Sequence, residues 1–339
     1  MPFIVLPHPF VLTFLVSFFS TLFVTWLIIP RLRKVGMVGV DLNKVPAGLD
    51  GKKIKLLKET GGGGFAVVPR SGGIAMIFGF CAGMLFSLAV FPYPDIILVL
   101  AALLSATLIS TIGIVEDFLH IRQFYRVILP GVAALPLMAV TAGYTKMTLP
   151  FVGAVDFGIF YSLLLVPVGV IAASNLVNLL AGFNGVEAGT GAIIGLVLFF
   201  SSYVLGRPEA ALISVALAAS CAAFLFFNWY PAKVFPGNSA TYMIGAVIAA
   251  IAIVGNMERV AAIALAPQIA EFFLKSLGLF RAENFGKLGK GGGLSYGGPV
   301  QSISHALMKL FRPTEMQLTL MLLVIQVLFG VLAFASIWL

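Results

Sequence analysis

Charge is what this sequence has least of. Only 10% of its 339 residues are Asp, Glu, Lys or Arg, 60% are hydrophobic, and the mean hydropathy is +1.08. Soluble globular domains carry about 25% charged residues, so water is excluded as the solvent for most of the chain. The two cysteines, Cys81 and Cys221, both lie inside apolar runs, which argues against a disulfide framework or a thiolate cluster. Three histidines, His8, His120 and His305, are too scattered for a zinc site. The first apolar run lacks an Ala-x-Ala-like cleavage site and is followed by many others, so it reads as a retained span. The net charge of +8 has no soluble domain to carry a groove-reading motif, so no nucleic acid partner is expected.

What is abundant is apolar sequence in membrane-length blocks. Crossing the hydrocarbon takes about 20 residues, and the runs predict an all-α polytopic membrane protein, one integral membrane domain over residues 1–339. Ten spans are expected, at 9–30, 72–91, 96–115, 127–145, 157–177, 189–206, 209–228, 239–255, 260–277 and 316–338. With the loop after the first span inside, 18 Lys and Arg fall on the cytoplasmic side and three, Lys146, Arg207 and Arg259, outside. That asymmetry predicts both termini outside and five cytoplasmic loops. The interior loops also hold the unusual polar content. Outside, only TKMTLPFVGAVDFG is long enough for a small hairpin, and the GGGG at 61–64 reads as a linker.

Three polar constellations stand out. Glu116 and Asp117 are adjacent carboxylates at the inner end of the third span, followed by Arg122 and Arg126. A solvated helix end explains them as well as metal-assisted phosphoryl transfer does, in which one carboxylate helps hold Mg²⁺ and the other accepts a proton. NLVNLLAGFNGVEAG packs Asn175, Asn178, Asn184 and Glu187 among Gly182, Gly185 and Gly189. Those glycines let backbone approach a ligand and the amides can read a base edge or a metal, more than a helix cap requires. In FNWYPAKVFPGNSATY, Trp229 and Tyr230 suit an interfacial aromatic belt. Phe235, Pro236, Gly237 and Asn238 form a turn before a helix, which predicts a phosphate seat at the helix N-terminus.

Together these segments resemble the polyprenyl-phosphate N-acetylhexosamine-1-phosphate transferase superfamily, glycosyltransferases of family-4 type. The likeness is strongest to its archaeal and eukaryotic branch, the UDP-N-acetylglucosamine:dolichyl-phosphate N-acetylglucosamine-1-phosphotransferases. It rests on GVDLNK, VEDFLHIRQFYRVILP, NLVNLLAGFNGVEAG and FNWYPAKVFPGNSAT, four motifs in order from about residue 36 onward. The resemblance implies that Asn178 and Asn238 help hold Mg²⁺, for which Mn²⁺ could substitute, and that Gly182, Asn184 and Glu187 line the nucleotide, with Phe235 near the base. It further implies catalytic roles for Glu116, Asp117 and Arg126, and places Asp41, Asn43 and Lys44 at the nucleotide and lipid-phosphate entrance.

Three departures matter. Glu116 stands where the family has Asp, and Asn238 stands where it has a metal-ligating Asp. The sugar-reading Arg-His-Arg survives only as Arg281. The implied reaction moves a sugar-1-phosphate, N-acetylglucosamine-1-phosphate by resemblance, from a UDP-sugar to dolichyl or another polyprenyl phosphate, with release of UMP. The alternatives are a non-catalytic relative that binds nucleotide or lipid, and a transferase for a different UDP-sugar. A transporter would bury charge mid-span, and Glu271 is the main acid so placed; Lys275 one turn on can pair with it. Membrane lipids are expected partners and a homodimer is compatible with the sequence. The implied site is an integral membrane one facing the cytoplasm, in the cell membrane of an archaeon or bacterium or the endoplasmic reticulum of a eukaryote.

Overall fold

Proline and glycine decide where the apolar runs become continuous helices and where they break. The computed structural model describes residues 8–41, 67–119, 122–149, 153–289 and 291–339. Helix α1 (His8–Lys34) leads to a hairpin of β1 (Val38–Val40) and β2 (Val67–Pro69), then α2 (Gly73–Val90) and α3 (Ile96–Leu119). A broken segment follows: α4 (Gln123–Ile128), a 3₁₀ stretch (Leu129–Ala134) and α5 (Leu135–Ala139). After a hairpin of β3 (Lys146–Leu149) and β4 (Gly153–Asp156) come α6 (Val166–Leu179), α7 (Val186–Val204), α8 (Pro208–Asn228) and α9 (Gly237–Gly255). The chain closes with α10 (Glu258–Ala264), α11 (Ala266–Ser276), the short strands β5 (Lys287–Leu288) and β6 (Leu294–Ser295), α12 (Ile303–Phe311) and α13 (Glu315–Ala335).

Among the described residues, eight helices are long and apolar enough to cross a membrane, and Phe124–Ala139 is a shorter apolar one. The expected fourth span, 127–145, is interrupted because Pro130 and Pro136 remove backbone donors that a continuous helix needs, and the segment turns through 3₁₀ geometry. The expected ninth, 260–277, stops at Leu265 and restarts as α11 with Pro267 in its first turn. The hairpin expected within TKMTLPFVGAVDFG is β3–β4, with Lys146 opposite Asp156. Sequence reading placed no helix at 303–311, where α12 forms behind a Ser302 side chain that accepts from the Ser304 backbone N–H.

Helix α9 is the axis of the bundle: 89% of its most apolar window is buried inside the protein, against 22% for α1 at the periphery. It packs on α3, α6 and α8. In lipid the hydrophobic effect does not drive helices together, so small residues that admit close approach carry the association. At Gly113 of α3 a Cβ would lie 2.5 Å from the Cα of Ser239, so α3 and α9 touch backbone to backbone. The α1–α2 seam uses the same device, with Gly79 and Gly83 against Thr21 and Ser17 on a fully buried hydroxyl stripe that also includes Thr13 and Thr25.

Candidate active site

The close crossing at Gly113 sets the chemistry one turn further along α3. Glu116 and Asp117 are both buried there, and α9 begins beside them. Asp117 accepts three hydrogen bonds: from Arg70 Nη2 at 3.0 Å, from Ser71 Oγ at 2.7 Å and from the Asn238 backbone N–H at 3.1 Å. Ser71 holds a left-handed φ of 69° to make its contact. Glu116 accepts from Asn238 Nδ2 at 2.9 Å and is ion-paired to Arg126 Nε at 2.6 Å, with Tyr242 a further partner. Two carboxylates thus stand against two guanidinium groups. The carboxylate also settles the orientation of Asn238, because only an amide nitrogen can donate to it, which turns Oδ1 away.

This arrangement corrects one expectation. The N-terminus of α9 is not an empty phosphate seat, since its Asn238 N–H is capped by Asp117. Gly237 makes the cap possible: its φ is +72°, and a Cβ there would lie 2.9 Å from Ser71 Cα and collide with Asp117. The FPGN turn is fastened to the start of α2, with Phe235 N–H donating to Pro69 O at 2.7 Å and Gly72 N–H to Phe235 O at 2.9 Å. The Phe235 ring packs over Gly39, 3.4 Å from a Cβ position.

The second constellation folds as the end of α6 and the turn into α7. Asn178 Oδ1 accepts from Thr241 Oγ1 at 3.1 Å, and the same hydroxyl reaches Asn238 O at 3.3 Å, so Asn178 and Asn238 are joined through one side chain. Glu187 Oε1 accepts the Gly182 N–H at 3.2 Å, closing a turn in which Gly182 and Gly185 have φ of +136° and +88°. Asn184 donates from Nδ2 to Asp41 at 3.1 Å, and its backbone N–H donates to Glu315 at 3.1 Å. Leu179 O accepts from both Lys275 Nζ (2.5 Å) and Asn284 Nδ2 (3.0 Å), and Asn284 Nδ2 also reaches Ala181 O at 2.7 Å. Lys275 pairs with Glu271 at 3.7 Å as its spacing predicts, and both are buried.

These segments enclose a cavity of about 700 Å³ whose lining includes Asp41, Asn178, Gly182, Asn184, Glu187, Phe235 and Asn238. Asp117 and Glu116 lie behind its wall, tied to it through Asn238, and Arg126 is turned onto Glu116. Arg281 is exposed and is not a lining residue; Glu283 takes a place in the wall instead. Asn43 and Lys44 lie outside the described residues.

Sequence reading missed several members. Arg70 had been counted only as a topological charge, yet it lines the cavity and binds Asp117. Its signal was an Arg-Ser pair directly before a span. Asn228, fully buried, accepts the Gly185 N–H at 3.1 Å and donates to Val234 O at 3.0 Å, strapping two wall segments together. Trp229, expected to serve the interface alone, also covers Gly185, at 3.0 Å from a Cβ position there.

Among the described residues no group of three or more His, Cys, Asp or Glu is arranged to hold a metal. The cavity wall offers hard oxygen donors only: the amide oxygens of Asn178 and Asn238 and the carboxylates of Asp41, Glu187 and Glu283. That set suits a hard divalent cation that arrives with its own anionic partner, since Mg²⁺ is commonly held by few protein ligands plus substrate phosphates.

A family model described as glycosyl transferase family 4 matches residues 99–256, from α3 to the end of α9. A Saccharolobus solfataricus protein, provisionally named a UDP-N-acetylglucosamine–dolichyl-phosphate N-acetylglucosaminephosphotransferase, is 36% identical over 324 residues, covering 95% of each chain. The Dictyostelium discoideum protein of that name is 29% identical over 73% of this chain and 66% of its own. A phospho-N-acetylmuramoyl-pentapeptide-transferase of Halalkalibacterium halodurans is 30% identical over 73% and 75%. Likeness that runs the length of the chain and spans every wall of the cavity has one reading: the chain belongs to glycosyl transferase family 4.

Proposed function

We propose that this protein transfers a sugar-1-phosphate, N-acetylglucosamine-1-phosphate, from a UDP-sugar to dolichyl or another polyprenyl phosphate, the opening step of lipid-linked glycan assembly. The observation that carries the reading is convergence: a nucleotide-sized cavity at one end of a membrane bundle draws its walls from five separated segments, with a neutralised carboxylate pair behind them. We place that end at the cytoplasmic face, where UDP-sugars are found, in agreement with the Lys and Arg asymmetry.

In the reaction an oxygen of the lipid phosphate attacks the β-phosphorus of the UDP-sugar. The bond from that phosphorus to the bridging oxygen breaks, the electron pair leaves with UMP, and a sugar-diphospho-lipid remains. The lipid phosphate is already ionised, so positioning and charge stabilisation matter more than a strong base. Arg70 supplies a guanidinium to the cavity wall, held in place by Asp117. Glu116 and Asp117 act as organisers: between them they orient Arg126, Arg70, Ser71 and Asn238. The Gly182 turn and Asn184 give backbone and amide edges to the uracil, and Phe235 gives it a ring face. Asn178 and Asn238 would hold Mg²⁺, or Mn²⁺ in its place, which when bound neutralises charge on the diphosphate.

Purified protein given radiolabelled UDP-N-acetylglucosamine, a polyprenyl phosphate and Mg²⁺ should form labelled lipid and UMP. Labelled lipid with another UDP-sugar alone would move the reading to a different donor, a choice that the outward position of Arg281 favours testing. No labelled lipid with any donor would sink it.

A further inference from the structure

A second cavity, of about 600 Å³, opens at the C-terminal end of α1 and shares no lining residue with the first. Four cations converge on it: Arg31, Arg33 and Lys34 from the end of α1, and Lys233 from the loop after α8. Among the described residues no acidic side chain lines it and none of the four is ion-paired. Its remaining wall is apolar and includes Trp26, which is 61% exposed, and Phe227. Topology alone asks for positive charge near a span end. It does not ask for charges from two segments 200 residues apart in sequence order, roughly, to meet on one walled cavity beside an aromatic pair.

We propose that this cavity is a binding site for an anionic phospholipid of the surrounding bilayer, its phosphodiester held by the four cations and its chains running along Trp26 and Phe227. The position at the end of a 27-residue apolar helix puts the cations at headgroup depth and the aromatic walls at chain depth. A lipid held there is not the reacting one, because the cavity is separate from the one holding Asn178 and Asn238. It is nevertheless close to it in sequence: Lys233 is two residues from Phe235, and the Lys233 N–H closes its loop onto Phe227 O at 2.7 Å.

The full-length protein, in mixed phosphatidylcholine and phosphatidylglycerol nanodiscs, should retain phosphatidylglycerol selectively when released for native mass spectrometry. Arg33→Gln and Lys233→Gln, both at exposed positions, should each cut that retention roughly fivefold, the ratio corresponding to about 1 kcal/mol per interfacial cation. Selective retention by the unaltered protein should also fall as salt rises, a readout that needs no variant. Equal retention of the two lipids, or retention unmoved by either substitution and by salt, would overturn the proposal. So would displacement by inorganic phosphate at matched concentration, which would mark a plain anion site, or by polyprenyl phosphate, which would mark a waiting site for the acceptor.

Discussion

The two ends of the bundle use the same residue types to different effect. At the far end, Glu258 accepts from Tyr161 and Glu209 accepts the Asp95 N–H at 3.0 Å, each tied to one other element. At the site end, Asp117 accepts three hydrogen bonds, and Glu116 has three partners drawn from two further elements. A carboxylate with one partner fastens; one held from several directions is preorganised, and its field is fixed before substrate arrives. The difference lies in geometry, because α9 meets α3 backbone to backbone at Gly113 and no such crossing brings three segments onto Glu258 or Glu209.

The sharpest way to break that comparison is to neutralise one acid at each end. Asp117→Asn should lower transfer of labelled sugar phosphate about 10²–10³-fold, while Glu258→Gln should stay within about twofold; equal losses would erase the distinction. Asn238→Asp comes next. It restores the residue the family resemblance expects, but here it sets a third carboxylate against Glu116 in place of a donor. Activity should fall roughly 10–100-fold, and adding Glu116→Gln, whose amide can donate to the new carboxylate, should recover most of it. Gly113→Ala tests the crossing itself: with 2.5 Å to Ser239 Cα the helices must part, so thermal unfolding in detergent should show a loss of about 1–3 kcal/mol.

The smallest effect concerns pH. Burial, with Lys275 and Lys309 nearby, holds His305 below the ordinary imidazole range. Its Nδ1 accepts the Gln301 N–H at 3.3 Å, so the proton sits on Nε2 and faces Glu283 O at 2.8 Å. A depressed imidazole contributes stability that is complete above its unfolded pKa of about 6.5 and is lost as pH falls through the folded value. Hydrogen-exchange protection across residues 283–305, measured relative to the intrinsic rate at each pH, should therefore fall on acidification, and His305→Gln should remove that dependence.

Much of the site was legible because phosphate chemistry in a membrane leaves few polar residues to choose among. Asp117, Asn178, Asn184, Glu187 and Asn238 stood out against an apolar background, and the structure draws them to one cavity and the network behind it. What escaped was support. Arg70, Asn228 and Asn284 act through contacts made across 47, 43 and about 100 positions of sequence, respectively, and nothing local distinguishes them from a topological charge or a polar helix end. Arg281 is exposed beside the cavity wall and not part of it, since a motif position does not say which way a loop residue faces.

By itself the sequence determined the solvent, the helical class and the polar residues held back from the lipid, because each follows from composition and from lengths set by the bilayer. Tertiary structure alone decided that α9 would lie at the centre. It also decided that Asp117 would cap α9 where a free phosphate seat had been expected. Those outcomes depend on which backbones can touch, and in lipid that is settled by small residues on facing helices rather than by any property of one segment.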